Sequence, residues 1–213
     1  MTRAVVLPPT DIEEALLRNG MVVAGVDEAG RGPLYGPLVV GVVILAIEDL
    51  PEAYDSKTLS AARRRVLADA VKAKATAWAT GEAQASEIDE LGMTEALRVA
   101  SQRALSSLSV KPTALIVDGP RDITQSALEV RCVVKGESKS LSVAAASLLA
   151  KTHHDEVVLR MCEDHPGYGI ERNMGYGTPE HLAALASLGP TAEHRRTFKP
   201  VRGVLMPTEP LLR

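Results

Sequence analysis

MVVAGVDEAGRGPLYGPLVVGVVILAI, residues 21–47, holds two β-branched apolar runs around a Gly/Pro-rich loop. The runs at 21–27 and 38–47 are predicted strands, and ATAWATGEA at 75–83 alternates enough to be a third, so the first part of the chain reads as an antiparallel meander. The first strand closes on two adjacent acids, Asp27 and Glu28, where a turn needs only one polar residue.

Working outward, helical periodicity follows Ser60, a fitting N-cap for AARRRVLADAVKAK. Further helices are predicted over 94–108, entered through Thr94, over the alanine-rich 140–163, and over 178–189. The last has Thr178 as N-cap, Pro179 in its first turn and Gly189 at its close. ALIVD at 114–118 and EVRCVVK at 129–135 are two more predicted strands, separated by a Gly-Pro turn. Strands that alternate with helices favour an α/β sheet with helices packed on it.

Composition narrows the function classes. The chain has 213 residues, 46% of them hydrophobic, enough for the core of one sizeable domain. No apolar run approaches the roughly 18 residues of a membrane span, and the N-terminus has no signal-peptide layout, so a cytoplasmic protein is expected. Cys132 and Cys162 have no metal or disulfide spacing. A net charge of −3 argues against massive non-specific nucleic-acid binding but leaves room for a local basic groove.

Acids recur at strand ends. Asp27 and Glu28 follow the first strand, Asp118 ends ALIVD, and Glu137 stands between a strand and the long helix. Each taken singly reads as a turn former or cap. Gathered at one sheet edge they would repel one another, and such hard oxygen ligands suit Mg²⁺ or Mn²⁺. Asp27 and Glu28 would face opposite sides of a regular strand, so a break in alternation at Ala29-Gly30 is expected. The glycines of Gly30-Arg31-Gly32 let backbone N–H groups come close to a phosphate, with Arg31 adding charge.

DEAGRG at 27–32, DSK at 55–57, VDG at 117–119, KGE with SLSVAAASLLAK within 135–151, NMGYGTPEH at 173–181 and HRRTFKPV at 194–201 together resemble the ordered motifs of the bacterial ribonuclease HII family, one of the type 2 ribonucleases H. The resemblance implies an RNase H-like α/β fold: a mixed five-stranded sheet flanked by helices, with a catalytic core over 1–163 and a small C-terminal helical lobe and tail over 164–213. It implies a four-carboxylate site holding two Mg²⁺ or Mn²⁺ ions. Asp27 would bridge both, Glu28 and Asp118 would complete one, and Glu137 would help hold the other. The implied reaction is in-line hydrolysis of the RNA strand of RNA/DNA hybrids, and incision 5′ of ribonucleotides embedded in duplex DNA, leaving 5′-phosphate and 3′-hydroxyl ends.

Similarity also assigns Gly30, Arg31 and Gly32 to the sugar–phosphate around the scissile ribonucleotide, and Tyr176 to the next, deoxy, sugar. Lys57 is a candidate phosphate contact, as are Arg195, Arg196 and Lys199 of the last segment. A monomer with no membrane partner is expected. Two positions depart from the family pattern. Glu137 stands where ribonuclease HII usually has Asp, as in the sister type HIII, and Met174 stands where a lysine is common. HIII carries an extra N-terminal domain, for which the 26 residues before Asp27 are not expected to leave room. Asp155 is a rival to Glu137 but lies too far along the same helix to serve the same ion, and is read as structural, with His153 and His154 as exposed helix residues. The alternative is a hybrid-binding protein that does not cut. A glycosidase is disfavoured by an aromatic content of only 3%, too low for a sugar platform.

Overall fold

The computed structural model describes residues 8–46 and 60–206. Five strands form one sheet in the order β3-β2-β1-β4-β5: β1 Val23–Ala29, β2 Leu38–Leu45, β3 Ala75–Ala83, β4 Ala114–Asp118 and β5 Glu129–Val133. The β1, β2 and β3 strands form the predicted antiparallel meander, while β4 and β5 run parallel to β1. Parallel pairing fits the all-apolar run ALIV of β4, which is buried on both sides.

Among the described residues, eight α-helices surround the sheet: α1 Asp11–Leu17, α2 Ala61–Lys74, α3 Ala85–Leu91, α4 Met93–Ser107, α5 Leu141–Cys162, α6 Ile170–Asn173, α7 Pro179–Leu188 and α8 Lys199–Leu205. Side chains of α3 and α4, among them Ile88, Leu97 and Ala100, pack on one sheet face with Val26, Val40 and Leu115. On the other face α2 and α5 enclose Val43 and Leu45. Helix α5 rides against the sheet because Gly25 and Gly41 have no side chains. A Cβ on Gly25 would lie 2.1 Å from the Ser142 carbonyl carbon, and one on Gly41 would lie 2.4 Å from the Ala146 oxygen. None of the described helices is long and apolar enough to cross a membrane.

Three helix starts follow the sequence signals, whereas α4 begins at Met93 behind Gly92 at φ 78°, not through Thr94. The Ser60 Oγ accepts from the Arg63 N–H, Ser140 from Val143 and Thr178 from His181. A less obvious cap is Glu13 of α1. Its carboxylate is buried and accepts from the Ser140 hydroxyl at 2.6 Å and the Ser142 N–H at 2.9 Å, so it places negative charge at the positive N-terminus of α5.

The C-terminal segment packs back on the sheet. Tyr168 and Ile170 join Tyr35 and Val158 in one buried cluster, and Leu185 and Val201 join Leu34 in another. Both clusters grip the loop between β1 and β2, which places this loop between the sheet and the last helices.

Candidate active site

Parallel pairing of β1 with β4 sets Val26 opposite Val117, which brings the next residues, Asp27 and Asp118, side by side at the carboxyl ends of two central strands. Strand β1 does not stop at Asp27. It continues through Ala29, with Glu28 paired to Val40 and Ala29 to Val39, so the expected break in alternation is replaced by a regular strand that β2 prolongs. Asp27 therefore shares a face with Gly25 and looks toward α5, opposite Gly41 of β2. Glu28 lies at the rim and turns to Arg31, with Oε1 2.9 Å from Nη1.

Asp27 is buried, and its Oδ1 accepts the Glu28 N–H at 2.8 Å. Burial, then the neighbouring Glu28, raises its pKa to about 8; Asp118 adds to this, while the Ser147 hydroxyl and the Glu28 N–H pull the other way. Asp118 Oδ1 accepts the Gly136 N–H at 2.5 Å. That bond ties β4 to the short 3-10 turn Gly136–Ser138, which carries half-buried Glu137 and is entered through Lys135 at φ 58°. The fit at Gly136 is tight, since a Cβ there would sit 3.1 Å from Asp118 Oδ1.

This oxygen-only donor set, with one carboxyl destabilised as an anion by burial and by its neighbours, fits a hard divalent cation. Among the described residues, no three acidic, His or Cys side chains are drawn together closely enough to hold an ion as they stand. Glu28 is engaged by Arg31 through Oε1, and Asp118 by the Gly136 amide through Oδ1.

Beside the carboxylates opens a cavity of about 390 Å³ lined by Glu28, the Ala29–Gly32 backbone, Arg64, Ser147, Lys151 and Tyr176. The half-exposed Tyr176 ring lies over Gly32, where a Cβ would come within 3.2 Å of Cε1. Gly30 takes φ 90°, and a Cβ there would strike the His154 ring at 2.6 Å. Gly30, Arg31, Gly32 and Tyr176 thus line one cavity with Glu28, as the sequence reading requires. Ser147, Lys151 and Arg64 were not singled out from the sequence. The spacing of four between Ser147 and Lys151 on α5 was the available signal, since it puts them on one face. Lys57 lies outside the described residues.

Two expectations are corrected. Arg195 is no surface cation: its guanidinium is fully buried and donates to the carbonyls of Gly36 at 3.0 Å, Pro37 at 2.9 Å and Arg31 at 3.4 Å. Burial pulls its pKa down to about 10, so it stays charged at neutral pH. Arg196 and Lys199 are exposed. His154 is fully buried rather than exposed, and its burial lowers its pKa; His153 meets Glu82 at 2.6 Å. Asp155 is structural, as expected, bound to Arg64 at 3.1 Å and Lys151 at 2.8 Å, and so steadies two cations at the cavity.

The family model described as Ribonuclease HII matches residues 24–201. A Ribonuclease HII of Paracoccus denitrificans is 46% identical over 207 residues, covering 95% of this chain and 97% of that protein. One of Thermus thermophilus is 47% identical over 190 residues, covering 89% and 92%. Among solved structures, the ribonuclease H2 of Pyrococcus horikoshii superposes with a TM-score of 0.73 at 28% identity, covering 85% of this chain and 96% of that one.

Proposed function

The chain belongs to the ribonuclease HII family, a group of type 2 ribonuclease H endonucleases, and we propose that it hydrolyses the RNA strand of RNA/DNA hybrids and incises 5′ of ribonucleotides embedded in duplex DNA. The observation that carries this reading is the buried Asp27 carboxyl, set beside Asp118 at the strand ends and adjacent in the chain to Glu28, which lines a cavity with Gly30–Gly32 and Tyr176. Asp27, Glu28, Asp118 and Glu137 would hold two Mg²⁺ or Mn²⁺ ions. When bound, these supply Lewis-acid activation of water and stabilise charge on the departing 3′ oxygen.

The chain's own residues do the rest. The Gly30–Gly32 backbone offers N–H groups and a close approach to the sugar–phosphate. Arg31, paired with Glu28, would bring a guanidinium suited to phosphate contact to the same rim. Tyr176 presents a flat face to the sugar that follows the ribonucleotide, and the 2′-hydroxyl beside the glycines is what separates RNA from DNA. Arg64 and Lys151 add positive charge along the cavity wall. In this reading residues 1–163 form the catalytic core, and 164–213 form a lobe that shapes one side of the groove.

The test is cleavage of a uniform RNA/DNA hybrid with Mg²⁺ or Mn²⁺, with end-group analysis of the products. Cutting of the RNA strand to 5′-phosphate and 3′-hydroxyl ends, abolished by chelation and in Asp27→Asn, is expected. Tight binding without any cut in either metal would favour a hybrid-binding protein instead.

A further inference from the structure

Two buried histidines of the C-terminal segment form a hydrogen-bond chain whose direction is fixed at both ends. At one end the Thr191 backbone N–H, which only donates, reaches His194 Nδ1 at 3.0 Å, and the Thr191 hydroxyl lies 2.9 Å from the same nitrogen. His194 Nδ1 is therefore bare, and the neutral ring carries its proton on Nε2. That Nε2 lies 3.1 Å from His181 Nε2, which accepts. The His181 proton is then on Nδ1, 2.9 Å from the Tyr176 carbonyl, which only accepts. Both ends demand the same assignment. One proton lies between the rings, and a further proton on either would set two N–H groups against each other.

The surroundings hold the pair neutral. Both rings are fully buried, with Tyr168 4.9 Å from His194 and Tyr35 5.1 Å from it, ring centre to ring centre. Burial lowers the pKa of both histidines, that of His194 to about 4, with His181 and His165 adding to the effect. The Tyr176 turn includes left-handed backbone. It follows Met174 at φ 50° and Gly175 at φ 82°, and a Cβ on Gly175 would lie 2.6 Å from the Tyr35 oxygen. The same segment holds the far end of the loop between β1 and β2, where Arg195 donates to the Gly36 and Pro37 carbonyls.

We propose that His181, held in its Nδ1–H tautomer by His194, is a positioning residue that fixes Tyr176 over Gly32 and thereby sets the preference for an RNA-to-DNA junction; this rests on the reading of Tyr176 as a sugar contact. The loop between β1 and β2, through Leu34, Gly36 and Pro37, and the Tyr176 turn are thus both tied to one strap, residues 191–195.

The experiment compares kcat/KM for a duplex with one embedded ribonucleotide against that for a uniform hybrid, in wild type, Tyr176→Ala, His181→Phe and His181→Asn. Asn places an amide N–H where Nδ1–H stands. The expected result is a junction preference reduced roughly 10-fold in Tyr176→Ala and in His181→Phe, in keeping with the rate cost of misplacing a contact by about an ångström, and largely recovered in His181→Asn. If Tyr176→Ala shifts the preference and His181→Phe does not, the inference is overturned while the reading of Tyr176 stands. If Tyr176→Ala leaves the preference unchanged, the reading itself fails and the inference with it. Nitrogen NMR of the wild-type imidazoles tests the chain without relying on any variant's folding. Protonated Nδ1 in His181 and protonated Nε2 in His194 are expected, and both rings protonated on Nε2 would overturn the proposal.

Discussion

Replacing Arg195 with methionine keeps most of the side-chain volume and removes every donor. The wild-type guanidinium is fully buried, with its Cζ 5.3 Å from the Phe198 ring centre, and its two short bonds go to the Gly36 and Pro37 carbonyls. Both of these residues are themselves buried, so the change leaves two acceptors without partners. Each orphaned buried group costs about 1–3 kcal/mol, and the 3.4 Å contact to Arg31 adds little. Relief of the guanidinium's own desolvation offsets part of the loss. A net destabilisation of about 3 kcal/mol is expected. Urea denaturation of Arg195→Met measures it, with exposed Arg196→Met as a control expected within about 0.5 kcal/mol of wild type. The salt dependence of hybrid binding separates a brace from a phosphate contact. Loss of one contact lowers the slope of log K against log salt by about 0.9, and Arg195→Met should leave that slope unchanged. A stability within 0.5 kcal/mol of wild type together with a lowered slope would refute the argument.

Asp27 predicts a pH dependence in chelator-treated protein. Its folded pKa, about 8, lies above the ordinary carboxylate value, so between about pH 4 and 8 the folded state holds a proton that the unfolded chain has released. Stability should therefore fall as pH rises through that window, by up to about 1.4 kcal/mol per unit. Denaturant midpoints should show a flatter profile in Asp27→Asn, and Mn²⁺ at pH 8 should stabilise wild type more than this variant; identical profiles would count against the account. Gly25→Ala drives a Cβ into the Ser142 backbone, and a loss of about 3 kcal/mol with reduced activity is expected by thermal melting and kinetics. Asp89 accepts from the Arg196 N–H at 2.7 Å, the Thr197 N–H at 2.9 Å and the Thr197 hydroxyl at 2.6 Å. Asp89→Ala should cost about 1–2 kcal/mol and speed hydrogen exchange at both amides.

The sheet was legible because its strands are β-branched runs bounded by Gly, Pro and acids, and the helices with Ser or Thr caps were legible for the same local reason. The end of β1 was not. Local sequence stops the strand at an acid pair, but five consecutive partners on β2 carry it through Ala29. Helix α3 hid its start behind Gln84, which forms a capping box with Glu87 although glutamine is not a usual cap residue. Charge misled most. Arg195 and His154 read as surface groups because sequence carries no record of what packs above a side chain, and nothing local marks Glu13 as the buried cap of α5. The carboxylates at strand ends were legible because parallel strands align their carboxyl ends, and β1 beside β4 does so here.

The most direct test of the central claim is incision of a DNA duplex containing a single ribonucleotide, with Mg²⁺ or Mn²⁺, by wild type, Asp118→Asn and Glu137→Asp. A cut on the 5′ side of the ribonucleotide that disappears in Asp118→Asn, with a changed metal response in Glu137→Asp, is the predicted result. Binding without incision by wild type in either metal, with cutting restored by Glu137→Asp, would contradict it.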